Sequence, residues 1–316
     1  MARQATNKLL QKAKKSKSDE FYTQLCDIES ELQYYPNCFI NKVVYCNCDD
    51  PQVSNFFRYF RDNFQRLGLR KLIASCYREV ENNLQANQNA YYCEYEGDNI
   101  PMHITQFAGN GDFRSTECIA LLQQADVVVT NPPFSLFREF VTQIVHYNKQ
   151  FLVIGNVNAI TYKEIFDLIQ KNKAWLGVNL GRGISGFIVP EHYDLYGTEV
   201  RISEDGQRII STNGCLWLTN LELNLRHKDI DLVKEYIGNE DKYPKYDNCD
   251  GINVNRTQDI PRDYAGLMGV PITFLHKYNP DQFEIVRFRK GDDDKDLRIN
   301  GKCPYFRILI KNKRNI

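Results

Sequence analysis

The stretch ADVVVTNPPF, Ala125 to Phe134, decides how the rest of the chain is read. Val127, Val128 and Val129 form a continuous apolar run, the pattern of a strand buried on both faces. Pro132 and Pro133 cannot continue that strand, because proline lacks the N–H that a ladder needs. The residue before each proline is forced toward extended geometry, so Asn131 is presented at the strand's carboxyl end on a stiff turn. Open α/β sheets place their ligands at that edge.

The residue types at this turn suit one kind of chemistry. An exocyclic amino group on adenine is a poor nucleophile, since its lone pair is delocalised into the ring. If the Asn131 side-chain oxygen and the Pro132 carbonyl both accept its hydrogens, the nitrogen is drawn toward a tetrahedral shape and its lone pair turns to an incoming methyl group. Pro133 completes the rigid turn, and Phe134 offers a ring to stack on the base. A neutral acceptor suffices where the electrophile carries its own positive charge. Asn-Pro-Pro-aromatic after an apolar strand resembles the motif of amino-group methyltransferases that use S-adenosylmethionine. A plain structural turn is the competing reading, and the apolar strand in front and the aromatic behind favour the functional one.

Outward from this turn, strand and helix signals alternate. Lys42 to Asn47 reads as a first strand, followed by an acidic turn at Asp49-Asp50-Pro51. A helix from Ser54 to Leu67 comes next, with Phe56, Phe57, Phe60, Phe64 and Leu67 at helical spacing. Lys71 to Ser75 and Ile104 to Phe107 are further strands. The latter leads into Ala108-Gly109-Asn110-Gly111-Asp112-Phe113, where Ser115 is placed to cap a helix reaching Gln124. That glycine-bearing loop is either a close approach to a ligand, with Asp112 as acceptor, or a tight turn with none. Beyond the Asn131 turn, Ser135 is expected to cap a helix from Leu136 to Tyr147. Phe151 to Gly155 is a fifth strand, and Thr161 to Glu164 a capping box for a helix from Tyr162 to Lys171. The pattern predicts an α/β fold with a mostly parallel sheet.

The second half is less regular. Ala174 to Leu180 and Cys215 to Leu223 are strand candidates separated by a long insertion. Gly181 to Gly186 (GRGISG) matches the dinucleotide fingerprint by letter, but that fingerprint needs a helix to follow, and Phe187-Ile188-Val189-Pro190 is extended. Arg182 on this loop is either a contact to phosphate or base edges or part of a structural turn. From Arg226 onward the chain is rich in Tyr, Asn, Asp and Lys, and a smaller mixed domain is expected. Asp292-Asp293-Asp294 reads as a solvated loop.

With 316 residues, 42% hydrophobic and 25% charged, the composition is that of a globular protein. No apolar run approaches a membrane span and the first residues lack a signal-peptide core, so a cytoplasmic location is expected. The 10 cysteines are scattered without a Cys-x-x-Cys pair, which argues for reduced thiols and against zinc or any other metal. Net charge is zero, yet both ends are basic. Arg3, Lys8, Lys12, Lys14, Lys15 and Lys17 precede the first acid, and Lys302, Arg307, Lys311, Lys313 and Arg314 close the chain. These runs are either solvated tails or a surface that tracks phosphates.

Taken together, NKLLQKAKKSKSDEFYTQ, VVYCNCDDP, VVVTNPPFSLFREF, GFIVPEHY, CLWLTNL, MGVPITFLHK and GKCPYFRILIKNK resemble the EcoRI-type adenine-specific (N6) DNA methyltransferases of type II restriction-modification systems. The resemblance implies a Rossmann-like sheet of the S-adenosylmethionine-dependent methyltransferase type. Its last strand pair would be antiparallel, Ala174 to Leu180 with Cys215 to Leu223. It maps cofactor contacts onto Phe21 and Thr23, Asp49 and Pro51, and Asp112 with Phe113. The usual glycine-rich first loop is replaced by Asp49 to Ser54, and the acid expected on the cofactor ribose is Glu79, Glu81 or absent. Lys12, Lys14, Lys15, Lys17 and Arg182 become expected DNA contacts. The organisation implied is a basic arm at 1–18, a catalytic domain at 19–225 with a DNA-facing insertion at about 181–213, and a target-recognition extension at 226–316.

The implied substrate is duplex DNA containing GAATTC, methylated at the inner adenine after base flipping. A monomer acting twice is expected, paired functionally with a restriction endonuclease without a stable complex. An enzyme of the same fold acting on RNA adenine or protein glutamine is the alternative, against which the C-terminal extension stands. A catalytically idle DNA-binding scaffold is a third reading, opposed by the intact Asn131, Pro132 and Phe134.

Overall fold

The structure is a computed structural model that describes residues 22–78, 89–180, 183–189, 200–203, 205–210, 214–289, 297–303 and 306–314. Two compact units emerge, one of residues 1–162 with 177–222 and one of 163–176 with 223–316.

The first unit opens with β1 (Tyr22–Thr23) and α1 (Leu25–Leu32). Next come β2 (Val43–Asn47), α2 (Asn55–Asp62) and the single turn α3 (Phe64–Leu67). The apolar spacing read as one helix is thus broken at Asn63, whose side-chain amide donates to the Tyr59 carbonyl at 2.8 Å. Gly68 then ends the turn in the left-handed conformation at φ 64°. Three strands follow, β3 (Lys71–Ser75), β4 (Tyr91–Tyr95) and β5 (His103–Gln106). Thereafter α4 (Thr116–Gln124), β6 (Val127–Thr130), α5 (Phe137–His146) and β7 (Gln150–Asn156) alternate. After α6 (Lys163–Gln170), which belongs to the second unit, come β8 (Trp175–Leu180), β9 (Phe187–Ile188), β10 (Val200–Ile202), β11 (Arg208–Ile210) and β12 (Cys215–Thr219).

Eight strands form one sheet in the order β5-β4-β3-β2-β6-β7-β12-β8. Its centre is parallel: β2 pairs in parallel with β3 and β6, and β6 with β7. Every residue of β2 and β6 is buried, as expected for strands covered on both faces. The chain runs outward from β2 to β3 on one side and to β6 and β7 on the other. The switch point therefore lies between the carboxyl ends of β2 and β6, at Asn47 and Thr130. β12 runs antiparallel to β7 and separates it from β8.

The strand read at Ile104 to Phe107 is the exposed antiparallel edge β5, joined through β4. Ser135 does not cap the following helix: it lies inside a 3-10 turn, Phe134–Leu136, and the capping position is held by Leu136 without a side-chain bond. Two other caps follow the sequence: Ser54 accepts from the Phe56 and Phe57 amides and Ser115 from the Cys118 amide. Thr161 instead donates to the Asn158 carbonyl at 2.7 Å, closing a 3-10 turn of its own.

A second, four-stranded sheet of the first unit has the order β1-β9-β11-β10. In the second unit, five strands run in the order β13 (Lys245–Tyr246), β14 (Cys249–Asn253), β15 (Leu267–Pro271), β17 (Arg307–Asn312) and β16 (Phe283–Arg289). Helix α6 packs on it, with Phe166 stacked on Phe288 at 5.0 Å and Gln170 donating to the Val286 carbonyl at 2.7 Å. The ten cysteines are free thiols, mostly buried or half-buried.

Candidate active site

β6 delivers Asn131 to the carboxyl edge of the parallel sheet beside β2, and Pro132 is buried directly behind it. Phe134 opens the 3-10 turn that follows, which the Leu136 amide closes on the Pro133 carbonyl at 3.0 Å. The Phe134 ring meets Phe187 edge-on, with centroids 5.8 Å apart. Phe187 is fully buried in β9, and its backbone pairs with Thr23 of β1. Sequence reading passed over Phe187, whose only signal was its place at the start of the extended run after GRGISG.

That run is extended as expected, so no helix follows the glycines. Gly186 sits at φ +133°, and a Cβ there would meet the Ile210 carbonyl at 2.5 Å, so the last glycine serves close packing of β9 on β11. Thr23 is 3% exposed, its hydroxyl meets no hydrogen-bond partner among the described residues, and its carbonyl accepts from Asn55 at the start of α2. Thr23, Phe187 and Phe134 therefore converge, while Phe21 lies outside the described residues. Tyr22, the alternate residue of β1, lines a groove of about 650 Å³ with Pro51, Ser54, Arg58, Ile188 and Gln207. Pro51 thus belongs to that groove, on the side of β1 that Tyr22 faces.

At the end of β2, Cys48 takes a left-handed conformation with φ 63°, an uncommon position for a residue other than glycine. It turns the chain so that Asp49 reaches under β6. The Asp49 carboxylate accepts the Thr130 hydroxyl, the Ser54 hydroxyl at 2.9 Å and the backbone N–H of Asn131. Burial pushes its pKa up to about 7 against the lowering effect of those donors. Asp50 turns the other way, accepting from Tyr91 at 2.6 Å and pairing with Arg78.

Asp112 and Phe113 both meet neighbouring groups of the protein. Both Asp112 oxygens are held by Arg114, at 2.9 and 2.7 Å, which keeps the carboxyl below its usual range. The Phe113 ring is buried edge-on against Phe140 at 5.1 Å. The close approach that the neighbouring glycines allow is to the protein itself. Gly111 lies at φ +74°, where a Cβ would meet the Cys76 carbonyl at 2.2 Å, and Glu117 accepts the Ala108 and Gly109 amides.

Lys12, Lys14, Lys15, Lys17, Arg182, Glu79 and Glu81 lie outside the described residues. In the second unit the basic C-terminal run is largely committed within the fold. Arg307 donates to Asn253 at 2.9 Å, Lys313 to the Pro280 carbonyl at 2.6 Å, and Arg314 pairs with Asp229 at 2.5 Å. Among the described residues no His, Cys, Asp and Glu group is arranged to hold a metal, and no helix is long and apolar enough to cross a membrane.

A buried parallel strand thus ends in Asn-Pro-Pro-Phe at the switch point of a mixed sheet. The chain belongs to the EcoRI adenine-specific methyltransferase family, whose model, described as adenine-specific methyltransferase EcoRI, matches residues 9–313. It is 66% identical over 323 residues to the type II methyltransferase M.EcoRI of Escherichia coli, covering 99% of both chains. It is 39% identical to the type II methyltransferases M.MpnI of Mycoplasma pneumoniae and M.MgeORF184P of Mycoplasma genitalium, covering 96% of this chain and 98% of each relative. No solved structure matches the chain.

Proposed function

We propose that this type II DNA adenine methyltransferase transfers a methyl group from S-adenosylmethionine to the N6 amino group of adenine in duplex DNA. The target is the inner adenine of GAATTC, swung out of the helix, and the modification protects DNA from a cognate endonuclease. The observation that carries this reading is the position of Asn131-Pro132-Pro133-Phe134 at the end of β6, with Phe134 braced by Phe187 beside Thr23.

Asn131 and the Pro132 carbonyl accept the two amino hydrogens, raising the nitrogen's nucleophilicity without a charged base. Phe134 supports the extruded base, and Phe187 limits the tilt of that ring. The residues fit the cofactor: Thr23 is nine-tenths buried with a hydroxyl free to bond among the described residues, as a polar ligand beside it requires. Thr23 and, by family resemblance, Phe21 would hold the methionine end. When bound, S-adenosylmethionine supplies a methyl group on a positively charged sulfur, which is why neutral acceptors serve here. The second unit serves target recognition, and a single chain acts on each strand in turn.

Incubation with labelled S-adenosylmethionine and duplexes with or without GAATTC tests the reading, with the methyl group expected on the inner adenine only. Asn131→Ala should lose at least about 10²-fold in transfer while DNA binding persists, since positioned acceptors act chiefly in the transition state. Near-normal turnover by that variant would overturn the role given to Asn131.

A further inference from the structure

Across Asn131-Pro132-Pro133 the backbone has a single N–H, that of Asn131, because neither proline carries one. The β6 ladder has already ended at Thr130, so this N–H alone can fix the turn's first peptide plane. Its acceptor is the Asp49 carboxylate. The same carboxylate accepts the Thr130 hydroxyl, which also reaches the Asn47 carbonyl, and the Ser54 hydroxyl that caps α2. Asp49 is 6% exposed, and its own amide donates to the Ser75 carbonyl at 3.0 Å. It thus joins β2, β3, α2 and the Asn131 turn.

We infer that Asp49 is a positioning residue for the Asn131 turn and not a cofactor ligand. The Thr130 hydroxyl and the Asn131 N–H tie the Thr130–Asn131 peptide to the carboxylate, and this fixes the start of the turn from which the Asn131 side chain and then the Pro132 carbonyl follow. The left-handed Cys48 is the local deformation that brings the carboxylate there. Misplacing an acceptor by about 1 Å costs on the order of 10²-fold in rate, so the effect of losing Asp49 belongs on the chemical step. The inference rests on the reading of Asn131 as the acceptor of the amino group.

The test measures S-adenosylmethionine affinity, single-turnover transfer at saturating cofactor, and amide exchange in a peptide covering Val129 to Leu136. Asp49→Ala should slow transfer by at least about 10-fold, change cofactor affinity by less than about 3-fold and speed exchange at the turn. Asp49→Asn, which keeps an oxygen facing Thr130 and Asn131, should recover most of the rate. Thr130→Val should show a smaller loss of the same pattern, and it carries the test alone if Asp49→Ala does not fold. Weakened cofactor binding with a normal single-turnover rate in these variants would overturn the inference. Asn131→Ala, run alongside, separates the two readings. If it transfers normally, the motif reading falls and this inference with it; if it is inactive while the Asp49 and Thr130 variants transfer normally, only this inference falls.

Discussion

Phe134 is the one ring of the Asn-Pro-Pro-Phe turn, and its edge contact with buried Phe187 leaves it half-buried, a fixed surface rather than a mobile lid. If an extruded adenine rests on it, a 2-aminopurine at the target position should brighten on binding, because unstacking relieves quenching. Phe134→Ala should brighten the bound probe further while costing about 1–3 kcal/mol of base stacking. Probe intensity at the duplex level in both proteins, with binding confirmed separately, would sink base extrusion. Asp49 makes a second prediction at this scale. Its pKa in the fold, about 7, lies above the ordinary 3.8, so the folded state holds this proton more tightly than the unfolded chain does. Its contribution to stability is present below pH 4 and is lost as pH rises toward 7. Asp49→Asn has no such proton, so its melting temperature relative to wild type should climb between pH 4 and 7. A difference constant across that window would contradict the assignment. The place of Asn131 at the end of a buried strand was legible from its neighbours alone, because strand, prolines and ring are contiguous. The role of Asp49 was not, since the bond to Thr130 spans 81 positions and no local pattern encodes it.

Helix α1 holds the glycine-bearing segment by two carboxylates spaced one turn apart. Glu31 accepts the Val178 and Asn179 amides at 2.9 and 2.8 Å together with Tyr35, and Asp27 accepts the Ser185 amide and hydroxyl at 3.0 and 2.9 Å. Both ends of the chain between β8 and β9 are thereby fixed to one helix face. Burial raises the pKa of both acids, yet the converging donors show which groups would be orphaned by their loss. Glu31→Gln should destabilise by about 1–3 kcal/mol, because one buried amide would face an NH₂ group. Denaturant unfolding checks this, and an unchanged midpoint would mean that the donors find other partners. Strands such as β2, β6 and β7 were readable because full burial demands unbroken apolar runs. β4 alternates buried and half-buried residues and was missed, whereas β5, though mostly exposed, was read one residue late as Ile104 to Phe107. β1 and β9 are two residues each, too short for any periodicity, yet their pairing brings Thr23 to Phe187.

At the scale of the whole molecule, the zero net charge conceals two basic ends. The C-terminal basic residues Arg307, Lys313 and Arg314 are used inside the second unit, where Arg307 shares Asn253 with Tyr246 and ties β17 to β14. Replacing Arg307 or Lys313 should lower stability rather than DNA affinity alone, because the acceptors they leave, Asn253 and the Pro280 carbonyl, are buried, whereas the exposed Arg314–Asp229 pair contributes little. Lys12, Lys14, Lys15 and Lys17 are the other basic run, set among no acids before Asp19. Each lysine that neutralises a phosphate releases a condensed counterion and adds about 0.9 to the slope of log affinity against log salt. If all four act this way, replacing them with Gln should reduce that slope by about 3 to 4. Binding should then weaken alike for duplexes with and without GAATTC, since phosphate contacts carry no sequence information. Filter binding or fluorescence anisotropy across a salt series measures both quantities. An unchanged slope would return the arm to a solvated tail and leave the required positive surface to be found elsewhere on the molecule.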